Sequence, residues 1–327
     1  MKPILLICAA VVLLGCGKKA LEQQAEPEVE LTEATLTPGM EAASKAYEAG
    51  NYREAVRLYT VELAAEEAKP VPSWVQLSSL HNQLGTALDY AGLYEKALEH
   101  HQKSLAIRLK QLGPEHPSVA MSYNNIGEVH RNKGEYDKAL GHHQKSLAIR
   151  LKQLGPEHPS VAMSYNNIGL LHNHKGEYDK ALEHLQKALA IVLKQLGPEH
   201  PHVASTYNNI GLVHNHKGEY DKTLEHFQKA LAIELKQLGP EHPSVAGSYN
   251  NIGAVHHKKG EHDKALEHFQ KALAIRLKQL GPEHPSVAMS YMNMAFVYKA
   301  KKDLPKAKEY WEKAYAIYLK KLGSNHP

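Results

Sequence analysis

The residues of this 327-residue chain that could do chemistry are histidines and side-chain amides, and both recur at fixed spacing. The 23 histidines fall mostly into three rows: His116, His158, His200, His242 and His284; His130, His172, His214 and His256; and His100, His142, His184, His226 and His268. Metal binding is the chemistry such rows suggest. Members of a row are one repeat apart, which puts them on neighbouring helices about 8–10 Å apart, too far to share an ion bound at about 2.0–2.1 Å. Local pairs such as His142/His143 and His172/His174 remain, without carboxylates or cysteines at ligand spacing. The rows therefore read as packing and helix-start hydrogen bonds with a pH-sensitive stability. No metal or cofactor is expected.

The amides come in pairs. Tyr-Asn-Asn-Ile-Gly begins at Tyr123, Tyr165, Tyr207 and Tyr249, with worn copies at His81–Gly85 and Tyr291–Ala295. Each amide offers two donors and an acceptor, so it can bridge a peptide's N–H and C=O without demanding a charge. Catalytic motifs are missing: there is no phosphate-cradling glycine loop, no His-Glu-x-x-His and no Gly-x-Ser-x-Gly. The only cysteines are Cys8 and Cys16. No catalytic residue is expected. With 39 basic against 35 acidic residues and a net charge of +4, the surface lacks the dense basic face a nucleic acid requires.

The elements that carry these residues follow from the repeat. Gly-Pro-Glu-His-Pro starts at Gly113, Gly155, Gly197, Gly239 and Gly281, every 42 residues, and a degenerate copy starts at Gly323. Gly-Glu-(Tyr/His)-Asp-Lys starts at Gly134, Gly176, Gly218 and Gly260, with relatives at Gly50 and Gly92 and Lys302 at the equivalent place in the last unit. Seven helix pairs result between about Pro38 and Gly323. Val161, Tyr165, Ile168, Gly169 and His172 make the apolar face of a first helix. Tyr178, Ala181, Leu182, Leu185, Ala188, Leu189, Ile191 and Leu193 make the wider one of a second. Gly176 closes the first helix in a left-handed conformation, Gly197 ends the second, and Pro201 opens the next.

The N-terminus has a different character. Lys2 and the apolar run Ile4–Leu14 form a secretory leader, too short to span a bilayer, for which about 20 residues are needed. Leu13-Leu14-Gly15-Cys16 resembles a lipobox, which implies a lipoprotein signal peptide over 1–15 and lipid on Cys16. Residues 16–37, with Pro27 and no apolar period, read as a flexible linker reaching roughly 25 Å. The resemblance to bacterial lipoproteins, with Gly17 rather than Asp after the Cys, implies an outer-membrane lipoprotein facing the periplasm.

Tyr207, Ile210, Gly211, Ala181, Phe227 and Ala230 resemble the tetratricopeptide repeat pattern. The 42-residue period and the Gly-Pro-Glu-His-Pro joint resemble the kinesin-light-chain and nephrocystin-type variant. The resemblance implies an all-α fold, a right-handed α-solenoid of about seven helix pairs over 38–327 preceded by the leader and linker. First helices would line a concave groove that holds an extended peptide or partner protein. The resemblance maps that groove onto Gln83, Asn124, Asn125, Asn166, Asn167, Asn208, Asn209, Asn250, Asn251 and Asn293, with Arg131 and Lys299 among flanking residues that differ from unit to unit. The second Asn of each pair is expected to face the ligand; the competing reading has one amide of each pair bond a neighbouring helix. The expected function is a membrane-tethered scaffold for protein–protein interaction. The alternative is a structural or metal-binding His-rich envelope protein, the solenoid packing on itself.

Overall fold

The computed structural model describes residues 36–322. The leader over 1–15, Cys16 and the linker up to residue 35 lie outside the described residues. Fourteen helices follow in seven consecutive pairs: α1 Pro38–Glu48, α2 Tyr52–Glu67, α3 Trp74–Tyr90, α4 Tyr94–Leu112, α5 Pro117–Asn132, α6 Tyr136–Leu154, α7 Pro159–His174, α8 Tyr178–Leu196, α9 Pro201–His216, α10 Tyr220–Leu238, α11 Pro243–Lys258, α12 His262–Leu280, α13 Pro285–Ala300 and α14 Leu304–Leu322. No described helix is long and apolar enough to cross a membrane. The described residues group into two compact units, 36–191 and 192–322.

The joint between pairs is built by its own residues. Gly155 ends α6 at φ 82°, a conformation that favours glycine. His158 then sits in extended backbone at the N-cap of α7, its Nδ1 accepting from Ser160 N–H at 3.1 Å. Pro159 takes the first helical position, where its missing N–H costs no hydrogen bond. His116, His200, His242 and His284 cap α5, α9, α11 and α13 in the same way. The expected helix-start hydrogen bonds of this row are therefore present. Within a pair, Gly176 (φ 75°) turns the chain from α7 to α8 as expected, and Lys302 adopts φ 64° at the equivalent place before α14.

The core of the unit 36–191 includes Met40, Tyr59, Leu80, Leu84, Ile126 and Val129. In the unit 192–322, Leu224, Phe227, Val245, Ile252 and Val255 form one cluster and Phe269, Met294 and Val297 another. The glycine of Ile-Gly is dictated by this packing: a Cβ on Gly211 would lie 2.6 Å from the Phe227 ring. Each buried Leu, Phe or Val contributes about 1.5–3 kcal/mol.

Candidate functional site

The remaining histidine rows join the two helices of each pair. His130 Nδ1 contacts Glu135 Oε2 at 2.7 Å, and His172, His214 and His256 repeat the pairing with Glu177, Glu219 and Glu261. His142 stacks on His130 at 5.4 Å, and His184 on His172 at 5.4 Å. Burial lowers the His142 pKa to about 4, so its ring stays neutral at neutral pH. Hydrogen bonds from His130, Lys133 and Lys138 hold the Glu135 carboxyl down at about 2. Among the described residues no group of three or more His, Cys, Asp or Glu could hold a metal ion.

The amide pairs lie on the first helices. In the unit 36–191, Asn125 Nδ2–H donates to Asn82 Oδ1 at 2.9 Å, and Asn167 Nδ2–H donates to Asn124 Oδ1 at 3.1 Å. In the unit 192–322, Asn293 donates to Asn250 at 2.8 Å. The second Asn of one repeat thus reaches the first Asn of the repeat before it. Each such rung contributes about 1 kcal/mol and uses one donor and one lone pair. Free hydrogen-bonding capacity remains on each amide. Asn166 and Asn250 are buried, whereas Asn124, Asn125, Asn167, Asn208, Asn209, Asn251 and Asn293 are half-buried, as is Gln83.

Side chains one turn on give each unit its own character. In the unit 36–191, Glu128 pairs with Arg131 at 2.6 Å and lies 3.3 Å from the buried His143. In the unit 192–322 the corresponding residues are Leu212, Ala254 and the exposed Phe296, which packs edge-on against Trp311 at 6.1 Å beneath the Lys299 ammonium.

A row that sequence reasoning missed lies inside the second helices. Arg108 and Arg150 are buried, and each Nη1 donates to the carbonyl of Ser118 or Ser160 and to Oγ of Ser122 or Ser164. Arg276 does the same with Ser286 and Ser290. The same register carries Glu234, which accepts from Ser248 Oγ at 2.6 Å and from Asn208 Nδ2–H at 3.2 Å. Burial pushes its carboxyl up to about 7 against those two hydrogen bonds. The available signal was the one changing residue in Ala-Ile-x-Leu-Lys: Arg108, Arg150, Val192, Glu234, Arg276 and Tyr318.

The profile described as Tetratricopeptide repeat matches residues 76–152, 118–194, 160–233, 202–278 and 244–320. No curated protein matches the chain. Among solved structures, a putative kinesin light chain with nearly identical TPR-like repeats from Podosopora anserina is 28% identical, covering 64% of this chain and 100% of that one with a TM-score of 0.57. BtubC (BKLC) from P. vanneervenii is 22% identical over 72% of this chain and 92% of that one, TM-score 0.59. The tetratricopeptide repeat sensor protein of the signal transduction ATPase class from Pyrococcus horikoshii is 18% identical over 87% of this chain and 42% of that one, TM-score 0.66. The last two are likenesses of fold alone.

Proposed function

Since the chain belongs to the tetratricopeptide repeat family, with repeats of the kinesin-light-chain type, we propose that it is a membrane-tethered scaffold whose first-helix row holds an extended segment of a partner protein. Tetratricopeptide repeats generally serve protein–protein interaction. The observation that carries the finer reading is the row of half-buried asparagines along the first helices, where the rungs from Asn125, Asn167 and Asn293 each use only one of the donor amide's two N–H groups. Amides suit a main chain. The unequal side chains beside them, Glu128 and Arg131 in one unit and Phe296 and Lys299 in the other, give the row its selectivity. The reading assigns no reaction to the chain.

Tethering rests on the four residues ending at Cys16. Lipid on Cys16 would hold the body at a membrane, and by likeness to bacterial lipoproteins this is the periplasmic side of the outer membrane. A Cys16→Ser variant should then leave the membrane fraction for the soluble one; unchanged fractionation removes the anchor. For the row, double substitution Asn167→Ala and Asn209→Ala should lower capture of the partner at least tenfold with helicity unchanged. Capture that survives it removes the groove reading.

A further inference from the structure

In the unit 192–322, the second helix of a pair carries an arc that the first helix of the next pair covers. On α12, Leu273 and Leu277 pack against Val287, Ala288, Tyr291 and Met292 of α13, and Leu266 shares a cluster with Met294 and Val297. The same arc on α14, 42 residues on, holds Lys308, Tyr315 and Leu319, with Trp311 between them and Leu304 one turn before. Over the described residues it stands open: Leu304, Tyr315 and Leu319 are 61%, 66% and 41% exposed. Large apolar side chains exposed together in one row mark an interaction surface.

The order of the row says what fits it. Leu304, Lys308, Trp311, Glu312, Tyr315 and Leu319 recur at spacings of three and four, which puts them on one stripe of the helix. The stripe is symmetric about the midpoint between Trp311 and Glu312: Leu304 and Leu319 are equally far from that point, and so are Lys308 and Tyr315. Two copies of α14 laid antiparallel about a two-fold axis therefore set Leu304 of one against Leu319 of the other. Lys308 then meets Tyr315 of the second copy and lies one turn from its Glu312. An ammonium over a tyrosine face and beside a carboxylate is attracted by both. Lys308 and Glu312 are exposed and stand 3.7 Å apart on their own helix, so both can turn to the second copy.

End-to-end stacking of copies lacks this match. Successive pairs are tied at their turns by Lys259–Asp221 and Lys301–Asp263, each 2.5 Å. The corresponding tie between α14 and α1 of a second copy falls on Pro305 and Ala49, which carry no charge. Lys308 holds the place of Leu266 and Lys45 that of Val297, so stacking would bring two lysines together.

We propose that α14 is a dimer interface, along which two copies of this chain pair antiparallel over Leu304–Leu319 about a two-fold axis. The contact is isologous, each copy giving and receiving the same patch. The stripe is about 22 Å long, which places it among the small interfaces of weak, reversible complexes. Each particle then carries two first-helix rows.

Sedimentation velocity of the full chain from roughly 1 to 200 μM covers the affinities such an interface gives. It is run on the wild type, Tyr315→Glu, Lys308→Glu, Glu312→Lys and the double swap of Lys308→Glu with Glu312→Lys, with circular dichroism as the check on helicity. The expected result is a monomer–dimer equilibrium that weakens at least tenfold in Tyr315→Glu and at least threefold in each single swap. The double swap should return it to within twofold of the wild type. A photoreactive side chain at Leu304, in a mixture of isotope-labelled and unlabelled chain, should link to the region of Leu319 in the other copy. A chain that stays monomeric over the range, a dimer that withstands Tyr315→Glu, or a crosslink from Leu304 that lands outside α14 of the second copy overturns the assignment.

Discussion

Glu234→Gln replaces a titrating group with a neutral one of the same shape, in a place where the structure gives the cost of ionisation. Burial between α9, α10 and α11 pushes the carboxyl from 4.5 up to about 7. The native state therefore binds this proton more tightly than the unfolded chain does. Its contribution is fully present below pH 4.5 and is lost as pH rises through about 7. Each unit of displacement corresponds to about 1.4 kcal/mol, so the loss is about 3 kcal/mol by pH 8. Gln keeps an oxygen to accept from Asn208 and an amide to meet Ser248, and it does not titrate. Urea unfolding of both proteins from pH 4.5 to 8, followed by circular dichroism, should give curves that nearly coincide at the acid end. At pH 8 the variant should be more stable by about 3 kcal/mol, with the gain appearing as slower hydrogen exchange in α10 and α11. Burial lowers the His226 and His268 values, and these act alike in both proteins and cancel in the comparison. A stability difference that stays constant across the pH range would mean that Glu234 does not titrate differently in the folded and unfolded chain.

Gly141 lies inside α6 with open space where a Cβ would stand, while Glu99 and Glu183 occupy that register in α4 and α8 and pair with Lys103 and Lys187 at 2.7 Å; Gly141→Glu should stabilise the protein by about 1 kcal/mol, and an unchanged thermal midpoint contradicts this. Gly211→Ala forces a Cβ to within 2.6 Å of the Phe227 ring and should cost about 1–3 kcal/mol, measured by urea unfolding; a neutral result means the two helices can part freely. Burial holds His81 and His142 at about 4, below the value near 6.5 of the unfolded chain, so the unfolded state gains protons first and stability falls as pH drops below about 6.5. His142→Tyr, which copies Tyr310 of the last pair, should flatten that fall in a thermal melt series from pH 7 to 5.

Most of the fold was legible because each joint is written in residues that act locally. Gly155, His158 and Pro159 end one helix, cap the next and open it without help from distant parts of the chain. The joint histidines were legible for the same reason, since each caps the helix that begins beside it, whereas the pairing of His130 with Glu135 across the turn was not read from the sequence. The amide row was half legible. Its residues are spelled out in Tyr-Asn-Asn-Ile-Gly, but the reach of Asn167 to Asn124 depends on how two helices in different repeats pack. Glu234 was hidden at a position that reads as a solvated charge in Ala-Ile-Glu-Leu-Lys, because its burial is made by α9 and α11 rather than by its own helix.

The partner is proposed to lie along the first helices. Site-specific photocrosslinking in living cells addresses it most directly, with the reactive side chain at Leu170 or Leu212 on the first-helix row and at Lys187 or Lys229 on the exposed faces of α8 and α10. One protein should be captured from Leu170 and Leu212 and not from Lys187 or Lys229. Capture from the second-helix positions alone would contradict it.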